Sequence, residues 1–307
     1  MVVLAAVGML AAACGEGDAD TSFLVPERAN LVGSANLAEI LADDDIQGLL
    51  GQLDDDGVTL EDGLAEFELE SGIDVRLIGS VLVFAELTES TVEAPSYFGV
   101  VAHGSFDDGT LDAIEAALGE KAERSEYRGH AVITGVEDGE SFSITLLGDD
   151  ALVAGSTDAV HAAIDLFEGD GEVMAGEVRD TFDALGDRWA KAALAVPAEA
   201  FSELDALPVD LPFEIGFLDD IELVGLGIDK DGDELSLNAV LEFASEDSAS
   251  EAENVINAAL TLLGAFGVEG AAGDLLGRIE VEADGSTLTI EFSATIDELS
   301  GLGDALG

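Results

Sequence analysis

Cysteine is nearly absent from this chain: Cys14 is the only one among 307 residues. A lone thiol closes no internal disulfide, so neither stability nor compartment can be argued from cross-links. Lysine is almost as scarce, with only Lys121, Lys191 and Lys230. Lys and Arg together number 10 against 67 Asp and Glu. That excludes nucleic acid as a partner, because phosphate binding needs a basic stripe. It also argues against adhesion to anionic lipid headgroups. The sequence has no G-x-S-x-G elbow, no H-E-x-x-H, no P-loop and no complete dinucleotide fingerprint. No acid, base and nucleophile set can be named, so the chain is expected to be non-enzymatic and to carry no cofactor.

What the chain does have begins with its first residues. Val2 to Ala13 form an apolar run, short of the about 20 residues that span a bilayer core. It closes on Ala11-Ala12-Ala13-Cys14 and gives way to Gly15-Glu16-Gly17-Asp18. An apolar core with a small-residue exit is signal-like. The segment resembles the lipobox of prokaryotic lipoproteins. That resemblance implies cleavage before Cys14, a lipid on its thiol and a mature protein on the outer face of the cell membrane. Two features depart from the pattern. Ala11 stands where Leu is usual, with Leu10 one place early, and no Lys or Arg precedes the run. The basic residues of a signal are expected upstream of Met1. Taken alone, the residues also fit a buried apolar strand or helix with a core cysteine.

The net charge is −57, and no charged residue precedes Glu16. The whole imbalance therefore belongs to the part after the signal. Yet 48% of residues are hydrophobic, too many for a disordered acidic tail. The length fits one large or two ordinary domains. Abundant Asp and Glu with scarce Lys resembles the composition of proteins from salt-in halophilic archaea.

Residues 14–22 read as a polar tether, and a strand is expected across Pro26 to Ala35. Asn36 and Glu39 have capping-box spacing, ahead of helix through Leu37, Ile40 and Leu41. Thr59 can cap a further helix through Leu60, Leu64 and Phe67. Strands are expected from Val75 to Leu87 and from Tyr97 to Phe106, then a helix over 108–118. Two long strands follow, at about 127–136 and 141–154, joined across Asp138-Gly139, and a helix from Asp158 to Phe167. After residue 186 the same order returns. Arg188 to Val196 reads as a strand and Ala198 to Leu207 as a short helix. A hairpin spans Ile221 to Asp229 and Glu234 to Phe243. A helix capped by Ser248 with Glu251 ends at Gly267. A second hairpin turns at Asp284-Gly285, and a terminal helix runs from Asp297 to Leu306.

The fold expected is α+β, with largely antiparallel sheets and helices on one face. An internal duplication of a strand-helix-hairpin-helix-hairpin-helix unit is expected from the element order. The division is then 1–13 signal, 14–22 tether, 23–175 first repeat and 176–307 second repeat.

Three stretches carry a family resemblance: Pro26-Glu27-Arg28-Ala29-Asn30-Leu31-Val32-Gly33, Tyr127-Arg128-Gly129-His130-Ala131-Val132 and Leu152-Val153-Ala154-Gly155-Ser156. They resemble an uncharacterised family of acidic secreted or lipid-anchored prokaryotic proteins like those of halophilic archaea. The resemblance covers most of residues 23–170 and brings no catalytic residue.

Candidate chemistry is thin. Asp229-Lys230-Asp231-Gly232-Asp233 places three carboxylates at alternate positions, as a hard cation would want. The EF-hand, however, needs Gly at position six and Glu at twelve, where this sequence has Glu234 and Val240. The stretch reads as an exposed hairpin turn with no metal. Asp43-Asp44-Asp45 and Asp54-Asp55-Asp56 read as solvated loops. His103, His130 and His161 would need to converge to hold zinc, and nothing in their spacing argues for it. His161 with Asp165 fits an i, i+4 helix pair, and Trp189 reads as core or sheet-edge packing. The single site residue assigned is Cys14, for lipid attachment. The function expected is a lipid-anchored interaction or structural module. The alternative is a carrier holding an apolar ligand between sheet and helices. Its partner is then the membrane, with an unknown protein or apolar ligand.

Overall fold

The computed structural model describes residues 24–52, 60–88, 95–137, 140–197, 200, 216–265 and 271–306. Strands β1 (Leu31–Ala35), β2 (Ile78–Ala85), β3 (Phe98–Gly104), β4 (Glu123–Tyr127), β5 (His130–Glu137) and β6 (Glu140–Leu147) are followed by β7 (Ala151–Gly155), β8 (Ala190–Ala195), β9 (Ile221–Asp231), β10 (Glu234–Phe243), β11 (Glu280–Asp284) and β12 (Thr287–Thr295). They form one 12-stranded sheet in the order β11-β12-β10-β9-β8-β1-β2-β3-β7-β6-β5-β4. Every pairing is antiparallel. The seam is β1 against β8, from Leu31↔Leu194 to Ala35↔Ala190. Helices are α1 (Leu37–Ala42), α2 (Asp44–Gln52), α3 (Leu60–Ser71), α4 (Thr110–Leu118), α5 (Thr157–Phe167), α6 (Glu177–Ala184), α7 (Glu246–Ala265), α8 (Ala271–Leu276) and α9 (Ile296–Leu306). Among the described residues no helix is long and apolar enough to cross a membrane.

The sheet is α+β and antiparallel as expected, but its helices do not lie on one face. Neighbouring residues in a strand point to opposite faces. Val101, Val132 and Val153 join Ile164 of α5 and Phe182 of α6 in one buried cluster. Their sequence neighbours Ala102, Ile133 and Leu152 join Ile114 of α4 in another. The central and β4-side part of the sheet is therefore covered on both sides. This is why its strands read as nearly continuous Val, Ile and Leu, a pattern of two-sided burial. On the β9-β10-β12-β11 side, α7 packs Ala249 and Ala252 against Leu288 and Phe243. On the opposite face α6 packs on Gly225 of β9, while the β10-β12-β11 part, with Asn238, Glu242, Glu291 and Ser293, carries no apolar cluster of the described residues.

The strand expected over about 127–136 is β5, preceded by β4, which was not expected, and the strand expected over 141–154 divides into β6 and β7. The chain reverses at Arg128-Gly129, both at positive φ (50° and 91°), so Tyr127 pairs with His130. Positive φ at both central residues is what a type I′ hairpin requires. Gly148 (φ 64°) starts the second break, before β7. The Asp138-Gly139 turn lies outside the described residues, as do Thr59, Gly267 and most of the helix expected over Ala198 to Leu207.

Caps follow the sequence at one helix and depart from it at another. Asn36 Oδ1 accepts the Glu39 amide of α1 at 3.5 Å. At α7 the capping residue is Ser245, whose Oγ accepts the Ser248 amide at 3.1 Å; Ser248 lies in the first turn and donates to Asp220. The terminal helix has a reciprocal cap absent from the sequence expectations. Glu298 N–H donates to Thr295 Oγ1 at 3.3 Å, and Thr295 N–H donates to Glu298 Oε2 at 2.9 Å. Arg278 also grips both Glu298 oxygens. Arg278 and the Thr295 amide together hold the Glu298 carboxyl down at about 2. Thr295→Ala should cost about 1 kcal/mol, read as a lower thermal midpoint. An unchanged midpoint would assign the hold on α9 to Ile296 packing and the Arg278–Glu298 pair.

Helix α6 was not expected. It has few apolar residues, yet Phe182 and Thr181 are buried. It packs on β1, β8 and β9, across the seam. Gly225 of β9 makes that approach feasible, since a Cβ there would lie 2.7 Å from Thr181 Cγ2.

Candidate functional site

The expected site residues are dispersed. Cys14 lies outside the described residues. Asp231, Gly232 and Asp233 are exposed at the β9–β10 turn, where Gly232 has φ 64° and Asp231 pairs with Glu234. Among the described residues no three His, Cys, Asp or Glu are grouped to hold a metal.

Lys230, inside that turn sequence, faces the other way. Its side chain is 4% exposed and its Nζ contacts Asp43 and, at 3.1 Å, Asp45. It lies 5.6 Å from the Trp189 ring centroid. Trp189 packs with Ile40, Ile46 and Ile296, in the middle of the sheet rather than at its edge. Asp44 and Asp45 are exposed, in the first turn of α2, but Asp43 is not a solvated loop residue. Asp43 Oδ1 accepts the Asp45 and Ile46 amides while its carboxylate meets the lysine. Burial pushes the Asp43 carboxyl up, but Lys230 and those amides outweigh it and leave it below its usual value. Burial likewise opposes the charge on Lys230, and the two carboxylates reverse that.

The three histidines do not converge on one ligand set. His103 is buried, and neither ring nitrogen has a hydrogen-bond partner among the described residues. Burial holds it below the usual histidine value, with Asp150 pulling weakly the other way. His130 Nε2 meets Glu168 at 2.9 Å. His161 stacks on Tyr127 at 3.9 Å between centroids. Asp165, the expected partner of His161, instead accepts from the Tyr127 hydroxyl at 3.2 Å and pairs with Arg128 at 2.5 Å. These contacts dock the β4–β5 turn on α5.

The feature that sequence reasoning missed is a concavity of about 300 Å³ at the open half of the sheet. Arg188, Asn238, Glu291 and Ser293 line it, together with Ser236 and Glu280. The register sets Gly227, Asn238, Glu291 and Glu280 in one row across β9, β10, β12 and β11. Ser236 and Ser293 are opposite each other in the adjacent row. Asn238 Nδ2 donates to Glu291 Oε1 at 3.2 Å. Arg188 lies along Gly227, where an added Cβ would be 3.5 Å from Arg188 Cδ and Nε. The signal available in the sequence was polar alternation in β10 and β12 with glycines in β9. It marks an open face but not a concavity.

No family model and no curated protein sequence matches the chain. Among solved structures the chain is similar to the protein TP0453. Crystal form III aligns with a TM-score of 0.52 at 10% identity, covering 94% of this chain and 100% of that one. Crystal form IV aligns with a TM-score of 0.51 at 12% identity, covering 96% and 98%. At such identity the likeness concerns the fold alone.

Proposed function

We propose that this is a lipid-anchored protein of the outer face of the cell membrane, acting as a non-enzymatic interaction or structural module. The observation that carries this reading is Cys14, the chain's one thiol, between an apolar run with a small-residue exit and a polar tether. The fold supports it through where its core starts. Leu24 and Val25 are fully buried, and Met174 N–H donates to Val25 O at 2.8 Å. Nine residues lie between Cys14 and Leu24, and ten steps of about 3.3–3.6 Å reach at most about 36 Å. A lipid on Cys14 therefore keeps the folded body next to the bilayer. Two acyl chains give stable anchoring where one is marginal.

The halves of the sheet are read as copies of one unit. Leaving out β4 and β5, the strand order β1-β2-β3-β7-β6 repeats as β8-β9-β10-β12-β11. In each, a single strand precedes a hairpin, and a later hairpin returns to pair with its third strand. Against the carrier alternative stand the sheet-helix interfaces, packed with Phe84, Ile164, Ile114 and Leu288. A carrier needs a connected apolar cavity of several hundred Å³ there.

Mass spectrometry of the native N-terminus tests the anchor. The expected species starts at a lipid-modified Cys14 and partitions with membranes, and Cys14→Ser should release the protein or leave it unprocessed. An unmodified thiol on a chain still carrying residues 1–13 would end the proposal.

A further inference from the structure

We propose that the concavity on the open half of the sheet binds a short peptide of about three residues with both termini charged. The charge pattern on its floor is the first ground. In a chain of net charge −57, Arg188 has no carboxylate within 4.0 Å among the described residues; its Nε donates to Leu185 O at 3.0 Å. Arg278, at the far rim, is by contrast committed to Glu298. One uncompensated guanidinium thus stands at the β9 side, and the carboxylates of Glu291 and Glu280 stand at the β12 and β11 side. Between them lie an amide and two hydroxyls, Asn238, Ser236 and Ser293.

Each alternative ligand class leaves part of this pattern unmet. A dianion meets Glu291 and Glu280 as like charges. A dication leaves Arg188 unpaired. A neutral polyol leaves both charged ends without a partner. A zwitterion satisfies both, with its carboxylate on the Arg188 fork and its ammonium on Glu291. Strand spacing fixes its length. Two spacings of about 4.8 Å separate β9 from β12, about 10 Å in all, and three extended residues span about the same. The backbone amides of such a peptide offer donors and acceptors for Asn238, Ser236 and Ser293. The volume of about 300 Å³ is at the lower end for ligand pockets. Arg188 lies flat along Gly227, close enough that an added Cβ there would make ordinary van der Waals contact with its Cδ and Nε at 3.5 Å.

The test is a calorimetric titration of the full chain with tri-alanine, in the lowest potassium chloride concentration that holds the fold. N-acetyl-tri-alanine and tri-alanine amide serve as blocked probes. The expected result is saturable binding in the millimolar range, weakened at least about tenfold by either block. Arg188→Gln should weaken tri-alanine binding similarly and make the C-terminal block indifferent. Arg188→Lys should restore part of the preference for a carboxylate. Glu291→Gln should do for the N-terminal block what Arg188→Gln does for the C-terminal one. Absence of saturable heat up to about 10 mM, or blocked peptides binding as well as tri-alanine, overturns the proposal. So does wild-type affinity in both variants. The blocked probes act on the unaltered chain, so a variant that misfolds does not remove the test.

Discussion

The fold should melt at least about 10 °C earlier in 0.01 M salt than in molar potassium chloride, or be lost outright at the low end. The chain exposes 16641 Å² and carries a net −57, which places uncompensated charges about 17 Å apart. One such pair repels by about 0.2 kcal/mol in unscreened water. With about six neighbours each, screening at a Debye length of about 30 Å leaves on the order of 20 kcal/mol of repulsion. At about 3 Å, in molar salt, almost nothing remains. The unfolded chain repels itself too, so only part of this acts on folding. Domain stability is itself about 5–15 kcal/mol, so even a quarter of the repulsion is decisive. The ion pairs do little to soften it, since Arg28, Arg76, Arg124 and Arg278 are substantially exposed and such pairs are worth little each. Melting curves by circular dichroism from 0.01 M to molar salt decide the matter. A midpoint that barely moves would mean that the acidic surface is no salt adaptation.

Lys230→Ala should be among the most damaging single substitutions, at about 2–3 kcal/mol. Removing one partner of a buried pair leaves the other charge uncompensated. Here the lysine is 4% exposed and Asp43 19%, so water recovers part of the loss. Asp45 is 56% exposed, and Asp45→Ala should cost under about 1 kcal/mol. Lys230→Met keeps the apolar stem and should fall between them. The effect also depends on pH. The Asp43 carboxyl is lowered in the folded state, so its contribution is present above the ordinary carboxylate value and is lost as pH falls through the folded one. The gap between wild type and Lys230→Ala should therefore narrow in acid. Denaturant unfolding at neutral and acid pH measures both. Equal loss from Asp45→Ala and Lys230→Ala would show that the pair with Asp43 is not what holds α2 to the sheet.

Lys230 also shows how far the sequence could be read. Strand alternation places it on the face opposite Asp229 and Asp231, and that is legible from β9 alone. Its partners are 185 and 187 residues away, and no local pattern connects them. For the same reason Asp43 looked solvated, like the exposed Asp44 and Asp45 beside it. Helix α6 was hidden differently. Its stripe of Val178, Thr181, Phe182 and Leu185 has helical spacing and is buried or packed on the core across the seam, but over eight residues it does not stand out among the acidic residues between. The concavity lined by Arg188 was invisible because its rows join four strands through register, which spacing in sequence does not encode.

The sequence by itself determined the acidic surface, the lone thiol at Cys14, the alternation of strands and helices and most hairpins. Each of these depends on composition or on residues within a turn or two of one another. Only the tertiary structure decided that β1 and β8 join the halves into one sheet and that helices cover both faces of its central and β4-side part. It also decided that Lys230 is buried against α2 and that, among the described residues, no apolar cluster covers one face of the β10-β12-β11 part of the sheet. Those outcomes depend on which distant surfaces bury each other, a free energy set by packing and charge pairing across the whole chain.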